Sequence, residues 1–431
     1  MSHSFDLDRR YFMKWVAALP LLSSIAAKET FAKVLSAAGK TKSEDIYRRI
    51  GVRPLINARG TWTYLSGSLE LPEVKAAQQA AAMHFVDIVE LQHAVGKRLA
   101  ELSGAESGMV TSGAAGAMAA ATAACIAGTD PERIWQLPDT TGLRHEVPMV
   151  GGRSAFDSAI RLAGGKLVLV YSDEELKSAI NEKTAMIYTT DLGERLEKQI
   201  VIAKAAGVPL LLDDAAGIPP IENLKLYATM GCDLYTFSGG KGLMGPQCAG
   251  VLLGRKSLIE AAILNCSPHE GAVCRPMKVG KEEIMGVLAA VEAWMHKDLN
   301  ALNREWKERV DRIAKLVETV PGVSTDISIP EGGNRYPTLT VNWDEKAFGF
   351  TVADCDKELR DGEPRIEALT ASNPSLVSAV REGRPTAKEH REDKNRLQII
   401  SMTLQPGEEI TVGKRLREIL SAARNRAAKP A

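Results

Sequence analysis

Three segments place chemically useful side chains directly after apolar runs that are typical of strands. The first is the small-residue turn Ser112-Gly113-Ala114, which leads into an alanine-rich helical pattern. Bare backbone N–H groups at the start of a helix, together with the helix dipole, bind anions such as phosphate, and Ser112 adds a hydroxyl. The alternative is a packing turn, in which glycine and alanine let the helix approach a sheet.

The second segment ends in Asp213 and Asp214, which follow the apolar run Pro209–Leu212. A carboxylate at the end of a buried strand is costly unless a cation or a hydrogen-bond donor faces it. An aspartate at this place therefore indicates a cationic or donor partner. The alternative is that it caps the helix that follows.

The third segment places Lys241 among glycines just after the strand pattern Asp233–Ser238. A lysine that a substrate can reach and that the protein desolvates favours Schiff-base chemistry. The alternative is a solvated loop lysine. His145, in a loop ahead of Gly151, could stack on a planar ligand or transfer protons, or it could be an ordinary core or surface histidine.

Together, a phosphate turn, an aspartate at a strand end and a lysine after the next strand are the parts that hold pyridoxal phosphate (PLP). The turn binds the phosphate, Asp213 keeps the pyridinium nitrogen protonated, and Lys241 forms the internal aldimine. This chemistry needs no metal, and we expect none. The six cysteines are scattered, without a CxxC pair or zinc-finger spacing, so we predict neither a disulfide framework nor structural zinc.

Alternating strand and helix patterns from Ile46 onward must position these residues. The alternation predicts an α/β fold with a mostly parallel sheet and helices on both faces. In such sheets ligands bind at the carboxyl ends of the strands, where the polar residues above fall. A long charged helix over Leu299–Val320 then marks a change to a smaller α+β domain. We therefore predict a large PLP-binding domain over 46–298 and a C-terminal domain over 299–431.

The pattern of the first 45 residues predicts an export signal rather than a segment of the folded domains. The pair Arg9-Arg10 precedes an apolar run, Trp15–Ala27, that is shorter than the roughly 20 residues a membrane span needs. This combination is typical of a twin-arginine signal, followed by a polar spacer over 28–45. We expect the Tat machinery to export the protein to the periplasm, with no membrane span in the mature form. The alternative is a cytoplasmic protein with an amphipathic first helix.

The composition is that of an ordinary globular protein. Hydrophobic residues make up 45% and charged residues 25%, which excludes a disordered or a collagen-like chain. Lys+Arg and Asp+Glu both number 54, so the formal net charge is zero. Proteins that bind nucleic acid usually carry more basic than acidic residues, so we expect no nucleic-acid partner.

Several long stretches match, in the right order, the motifs of one known family. They are Ile56–Thr61, Phe85–Gln92, Val110–Ala115, Ala159–Gly164, Asp213–Pro220, Ser238–Lys241 with Gly245–Gln247, and Arg275–Glu282. On these stretches the chain resembles the selenocysteine synthase/D-glucosaminate-6-phosphate ammonia-lyase group of PLP enzymes. That group lies within fold type I, the aspartate aminotransferase-like fold.

The resemblance implies that Lys241 is the Schiff-base lysine and that Asp213 is the pyridinium partner. Asp214 would then have a neighbouring structural role. Lys278 and Lys281 are rivals for the Schiff base, but they precede a helical pattern rather than follow a strand, so we rank them below Lys241.

The resemblance also implies where the phosphate binds. Ser112, Gly113 and Ala114 would hold it through backbone and hydroxyl groups, with a further contact from Ser238.

A substrate site is implied as well. Residues 51–72 resemble the family's N-terminal substrate segment, with Thr61 as a substrate contact. Arg275 could reach an anionic substrate group or a cofactor in the partner subunit; the alternative is a surface salt bridge. Because this fold type usually forms its site between two subunits, we expect a homodimer or a larger assembly of dimers. Alternative carboxylate clamps in the C-terminal domain are Arg335, Arg365 and Arg396.

The function we predict is α,β-elimination, or a related β-replacement, on a small amino acid or amino sugar acid. Lys241 removes the α-proton, a β group leaves, and hydrolysis releases a keto product and ammonia. A racemase or an aminotransferase would use the same residues. An L-seryl-tRNA(Sec) selenium transferase is disfavoured, because a leader and spacer stand where such family members carry a tRNA-gripping domain. The presence of Lys241 disfavours a non-catalytic PLP-binding scaffold.

Overall fold

The computed structural model describes residues 46–151, 153–370 and 396–428. The predicted export signal and spacer, residues 1–45, lie outside the described residues. The chain divides into two compact units, Met1–Pro54 and Leu55–Ala431. The described part of the first unit contains a 3-10 turn at Arg48–Ile50. All elements named below belong to the second unit.

The second unit alternates strands and helices over most of its length. Its described strands are β1 Leu55–Ala58, β2 Ser107–Thr111, β3 Glu146–Val150, β4 Lys166–Val170, β5 Ile187–Thr189, β6 Leu210–Asp213, β7 Leu234–Ser238, β8 Gly250–Gly254, β9 Val323–Ser328, β10 Thr338–Trp343, β11 Arg365–Ala368 and β12 Leu397–Ile400. Its described α-helices are α1 Pro72–Ala82, α2 Ile88–Ser103, α3 Gly113–Ala127, α4 Pro131–Gln136, α5 Ser158–Leu162, α6 Asp173–Ala179, α7 Gly193–Ala206, α8 Asn223–Met230, α9 Lys256–Leu264, α10 Lys281–Trp294, α11 Leu299–Val317, α12 Glu345–Phe348, α13 Val352–Asp361 and α14 Glu408–Ala427.

Seven of these strands form one sheet in the order β2-β8-β7-β6-β5-β3-β4. All neighbours are parallel except β8, which is antiparallel to both β2 and β7. The central strands are short apolar runs because both faces of the sheet are covered. In β6, Leu210 and Leu212 join the core on one face, and Leu211 joins the core on the other. The predicted mostly parallel sheet with helices on both faces is confirmed.

The helices on the two faces differ in the size of their side chains. On one face α2 and α10 pack through residues such as Val95 and Val287. On the other face α3 and α9 pack through residues such as Ala120 and Ile259. Helix α3 is buried along nearly its whole length, so its alanines and glycines fit where larger side chains would collide.

The C-terminal part of the unit is a small α+β domain, as predicted. Strands β9, β10 and β12 form an antiparallel sheet, and α11 and α14 pack with it around a third core that includes Val310, Leu339 and Leu416. Strand β1 pairs in parallel with β11, so the N-terminal substrate segment starts on this domain. Within the described residues, no helix is long and apolar enough to cross a membrane.

Candidate active site

The carboxyl ends of three strands meet at one edge of the seven-stranded sheet. Strands β2, β6 and β7 end there in Thr111, Asp213 and Ser238. The antiparallel strand β8 begins at the same edge, where Gly250 pairs with both Thr111 and Ser238. The edge therefore brings together the predicted phosphate turn, the aspartate and the segment that leads to Lys241.

The turn at the start of α3 is shaped to receive an anion. Ser112 is the residue before the helix, and its side chain makes no capping hydrogen bond. Gly113 has a φ of 75°, which favours glycine. A Cβ at Gly250 would lie 2.5 Å from the carbonyl carbon of Gly113, so only glycine in β8 lets the turn lie this close. The first N–H groups of α3, including that of Ala114, thus point to a place where a phosphate would fit.

A small cleft, partly open to solvent, adjoins this turn. Thr111, Ser112, Cys266 and Ser267 are among the residues that line it. Arg275 donates to the Ser267 hydroxyl at 3.4 Å, which places its guanidinium beside the wall of the cleft.

Asp213 lies between a tyrosine and a lysine. The hydroxyl of Tyr188 in β5 donates to its Oδ2 at 2.9 Å, and the N–H of Ala215 donates to its Oδ1 at 3.2 Å. Burial raises the pKa of Asp213 above its ordinary value, although the Tyr188 hydroxyl and the charge of Lys241 favour the ionised form. A carboxylate in this position would gain strongly from a cation placed against it.

Asp214 has a separate partner. The hydroxyl of Tyr227 in α8 donates to its Oδ2 at 2.5 Å, and the carboxyl group is buried. A Cβ at Gly217 would lie 1.7 Å from that same oxygen, so Gly217 makes room for the carboxyl group. Burial raises the pKa of Asp214 as well. The two neighbouring aspartates therefore belong to two different tyrosine–aspartate pairs.

Lys241 is held on a turn between β7 and β8 that glycines make possible. A Cβ at Gly242 would lie 2.0 Å from the carbonyl oxygen of Ile218. Burial lowers the pKa of Lys241, and the charges of Asp213 and Asp214 oppose this only in part. A desolvated amine that loses its proton more easily is a better nucleophile and base.

Phe156 is a site residue that the sequence did not reveal. It lies in the segment after β3, and its ring centroid is 5.8 Å from the Nζ of Lys241. The buried carboxylate of Asp157 pairs with Arg153 and Arg161 and so fixes this segment. The sequence feature that could have identified Phe156 is its position as an aromatic residue soon after the end of β3.

The prediction that His145 contacts the cofactor is wrong. His145 stands immediately before β3, and β3 runs parallel to β5 and through it to β6. The start of a parallel strand lies at the opposite edge of the sheet from its end, so His145 is separated from Asp213 by the length of the sheet. Its Nδ1 lies 2.8 Å from the carbonyl oxygen of Leu143.

The N-terminal substrate segment is hydrogen-bonded to the lysine turn. The N–H of Ser68 donates to the carbonyl of Gly240 at 2.9 Å. The side chain of Gln247 donates to the carbonyl of Thr63, also at 2.9 Å. Thr61, at the other end of the segment, hydrogen-bonds to the hydroxyl of Tyr336 from the C-terminal domain.

The remaining basic candidates lie in different surroundings. Lys281 pairs with Glu282 at the start of α10, and Arg365 pairs with Glu367. Lys278 is exposed, Arg335 lies near enough to Asp214 to affect its pKa, and Arg396 stands just before β12. The substrate roles of Thr61, Arg275 and Arg396 remain predictions.

Comparisons with known proteins agree with this geometry. Residues 169–329 match the family model "Aminotransferase class-V". The D-glucosaminate-6-phosphate ammonia lyase of Salmonella typhimurium (strain 14028s / SGSC 2262) is 32% identical over 75% of this chain and 89% of that protein. The 5'-C-glycyluridine monooxygenase-decarboxylase of a Streptomyces species is also 32% identical, over 74% of this chain and 83% of that protein.

A solved structure of D-glucosaminate-6-phosphate ammonia-lyase superposes with a TM-score of 0.72 at 28% identity, covering 88% of this chain and 99% of that one. The fold is therefore that of the PLP-dependent enzymes of fold type I. Within that class, the chain belongs to the selenocysteine synthase/D-glucosaminate-6-phosphate ammonia-lyase group. The resemblance found in the sequence is confirmed.

Proposed function

We propose that the chain binds PLP at this edge of the sheet and catalyses an α,β-elimination, or a related β-replacement. The observation that carries the proposal is the half-buried Lys241, whose pKa burial lowers, near Asp213 at the strand ends that β8 connects to the start of α3. An uncapped helix start, a carboxylate and a lysine with a lowered pKa lie together at the place where such sheets bind ligands. Bound PLP would supply a ring that withdraws electrons from the substrate.

Each residue has a defined task in this arrangement. The N–H groups of Gly113 and Ala114 would hold the phosphate, with the hydroxyls of Ser112 and Ser238 beside them. Asp213 would pair with the ring nitrogen and favour its protonated form. Its hydrogen bonds to Tyr188 and Ala215 fix the orientation of the carboxylate. These contacts depend on position, because a phosphate or a ring displaced by about 1 Å would lose them.

Two further residues act on the reacting side. Phe156 places its ring beside Lys241, with its centroid 5.8 Å from Nζ. Lys241 accepts the proton from the α-carbon of the substrate, since its lowered pKa leaves more of the amine neutral than in an exposed lysine. The same amine can return the proton to the product.

The substrate class follows from the relatives and from the basic residues near the cleft. A small amino acid or an amino sugar acid carries a carboxylate, and a phosphorylated one carries a second anion. Arg275 beside the cleft, with Thr61 and Arg396, is proposed to bind these groups. The name of the Salmonella relative, with its amino sugar acid phosphate, supports this class. Neither the zero net charge nor the contacts at this edge favour a tRNA substrate.

We also propose a homodimer that is exported. Phe85, between α1 and α2, is fully exposed, and its neighbour Met83 is 76% exposed, which suits an interface with a second copy. The pair Arg9-Arg10 supports twin-arginine export. Light scattering on the purified protein tests the dimer. Cell fractionation of the full chain against a variant with both arginines changed to lysine tests the export, and equal amounts of both in the periplasm would contradict it.

The test of the activity is a substrate panel scored by two products at once. The full-length protein with PLP is offered D- and L-amino acids and amino sugar acids, with and without phosphate, and both ammonia and keto product are measured. We expect the two in equal amounts from one substrate class, and none from Lys241→Ala. Lys225→Ala, which removes an exposed lysine of α8, is the control. Consumption of oxygen with release of carbon dioxide would contradict elimination and point to the chemistry named for the Streptomyces relative.

A further inference from the structure

Two of the six cysteines face each other at the cleft. Cys266 and Cys274 are bridged through their backbones, and the N–H of Cys274 donates to the carbonyl of Asn265 at 3.2 Å. The side chain of Cys274 is near enough to raise the pKa of Cys266, and both residues are buried. All six cysteines are present as thiols. We call residues 266–274 the cysteine loop.

The spacing of this pair suits a covalent link. Bridged backbones lie about 5 Å apart, within the range of about 4.4–6.8 Å that a disulfide needs between its Cα atoms. The two residues are paired in a β-bridge, so the link requires little movement of the backbone. No such bridge joins any other two of the cysteines, all of which are described.

We propose that Cys266 and Cys274 are a disulfide-forming pair that a small disulfide, such as oxidised glutathione, oxidises by thiol–disulfide exchange. One cysteine thiolate attacks the small disulfide and forms a mixed disulfide, releasing one reduced thiol. The second cysteine then attacks the mixed disulfide and releases the other. The protein loses two hydrogens, and the small disulfide is reduced to two thiols.

Access to the pair is restricted. Both cysteines are buried, and Cys266 is one of the residues that line the cleft. The neighbouring Cys274 and burial hold the pKa of Cys266 well above its usual range. The thiolate is therefore scarce, and the exchange is slow compared with that of an exposed thiol.

The link would act on the wall of the cleft beside the phosphate turn. Ser267, the second residue of the cysteine loop, lines this cleft together with Ser112, and its hydroxyl accepts a hydrogen bond from Arg275. Further along the cysteine loop, Gly271 packs directly against Trp135. A Cβ at Gly271 would lie 2.2 Å from the ring of Trp135. A disulfide would restrict the conformations of the cysteine loop, and so of this wall of the cleft. The same residues would still line the cleft.

The test counts and maps thiols in the full-length protein. After overnight incubation with oxidised glutathione, free thiols are alkylated in denaturant, and the protein is analysed by intact mass and peptide mapping without reduction. We expect two fewer alkylated cysteines and a linked peptide pair that contains Cys266 and Cys274. Cys355→Ser, which changes a buried cysteine of the C-terminal domain, should still lose two thiols, whereas Cys274→Ser should leave Cys266 alkylated.

Two results would overturn the proposal. One is wild-type protein that keeps all six thiols after incubation, or carries only a glutathione on the exposed Cys248. The other is a linked peptide pair that joins different cysteines. Because the wild-type map decides the matter alone, the proposal stays testable even if Cys274→Ser fails to fold.

Discussion

Replacing Tyr188 with phenylalanine isolates the contribution of one hydroxyl to the proposed chemistry. The change removes the hydrogen bond at 2.9 Å to Asp213 and keeps the ring, which is only 1% exposed. A hydrogen bond to a charged group contributes about 1.5–3 kcal/mol. If the ionised Asp213 is needed in the transition state, kcat/KM should fall by about 10- to 150-fold.

The loss should also depend on pH in a defined direction. Burial raises the pKa of Asp213, and the Tyr188 hydroxyl lowers it. Without that hydroxyl the pKa rises further, so the carboxylate becomes protonated at a higher pH. The acid limb of the kcat/KM profile of Tyr188→Phe should therefore move to higher pH, and the loss of activity should be largest on the acid side.

Tyr227→Phe is the matched control, because it removes the corresponding hydroxyl from Asp214. It leaves a buried carboxylate without a donor, so we expect a lower free energy of unfolding, by about 1–3 kcal/mol. We expect no shift of the acid limb. The measurements are ammonia release against pH for both variants and urea unfolding for both. A shifted acid limb in Tyr227→Phe, with none in Tyr188→Phe, would refute the assignment and make Asp214 the partner of the ring.

The other predictions concern the walls of the site. Gly250→Ala places a methyl group 2.5 Å from the backbone of Gly113, so PLP affinity measured by absorption titration should fall about 10-fold or more. The control is Gly332→Ala, whose added methyl group would meet nothing within 4 Å. Equal losses of PLP affinity in both variants would contradict the close approach of Gly250 to the turn. The ring of Phe156 lies 5.8 Å from the Nζ of Lys241, so we expect it to contact a cofactor held there. Phe156→Ala should then weaken PLP binding about 2- to 12-fold, with little change in the free energy of unfolding because the ring is 49% exposed. An unchanged affinity would show that the ring does not contact the cofactor.

The sequence predicted the parts of the sheet that local pattern determines. Strands β6 and β7 are apolar runs buried on both faces, and each ends in a polar residue that marks the site edge. Helix α3 was evident from its alanines. Such elements need no knowledge of distant residues, because burial on both faces alone accounts for their composition.

The errors arose where the pattern is weak. Strand β3 contains Pro148, which lowers the expectation of a central strand, so its bounds were not recognised. His145 was therefore placed near the ring although it precedes the strand, and Phe156 after the strand was missed. The antiparallel strand β8 has a glycine at each end, so local sequence favours a loop as strongly as a strand.

Pairings between distant residues could not be predicted at all. The register that joins Thr111 and Ser238 through Gly250 is set by tertiary packing. The same holds for the pairing of β1 with β11 and for the two tyrosine–aspartate pairs. Each depends on residues whose separation in sequence carries no local signal.

The most direct test of the account is to identify the lysine that holds PLP. The full-length protein is loaded with PLP, its absorption is recorded, and it is reduced with borohydride, which fixes the cofactor covalently to the lysine that holds it. Peptide mapping then locates the modified residue. The account predicts a yellow protein with the label on Lys241, and a colourless Lys241→Ala. A label on Lys278 or Lys281, or a wild type that stays colourless after addition of PLP, would contradict it.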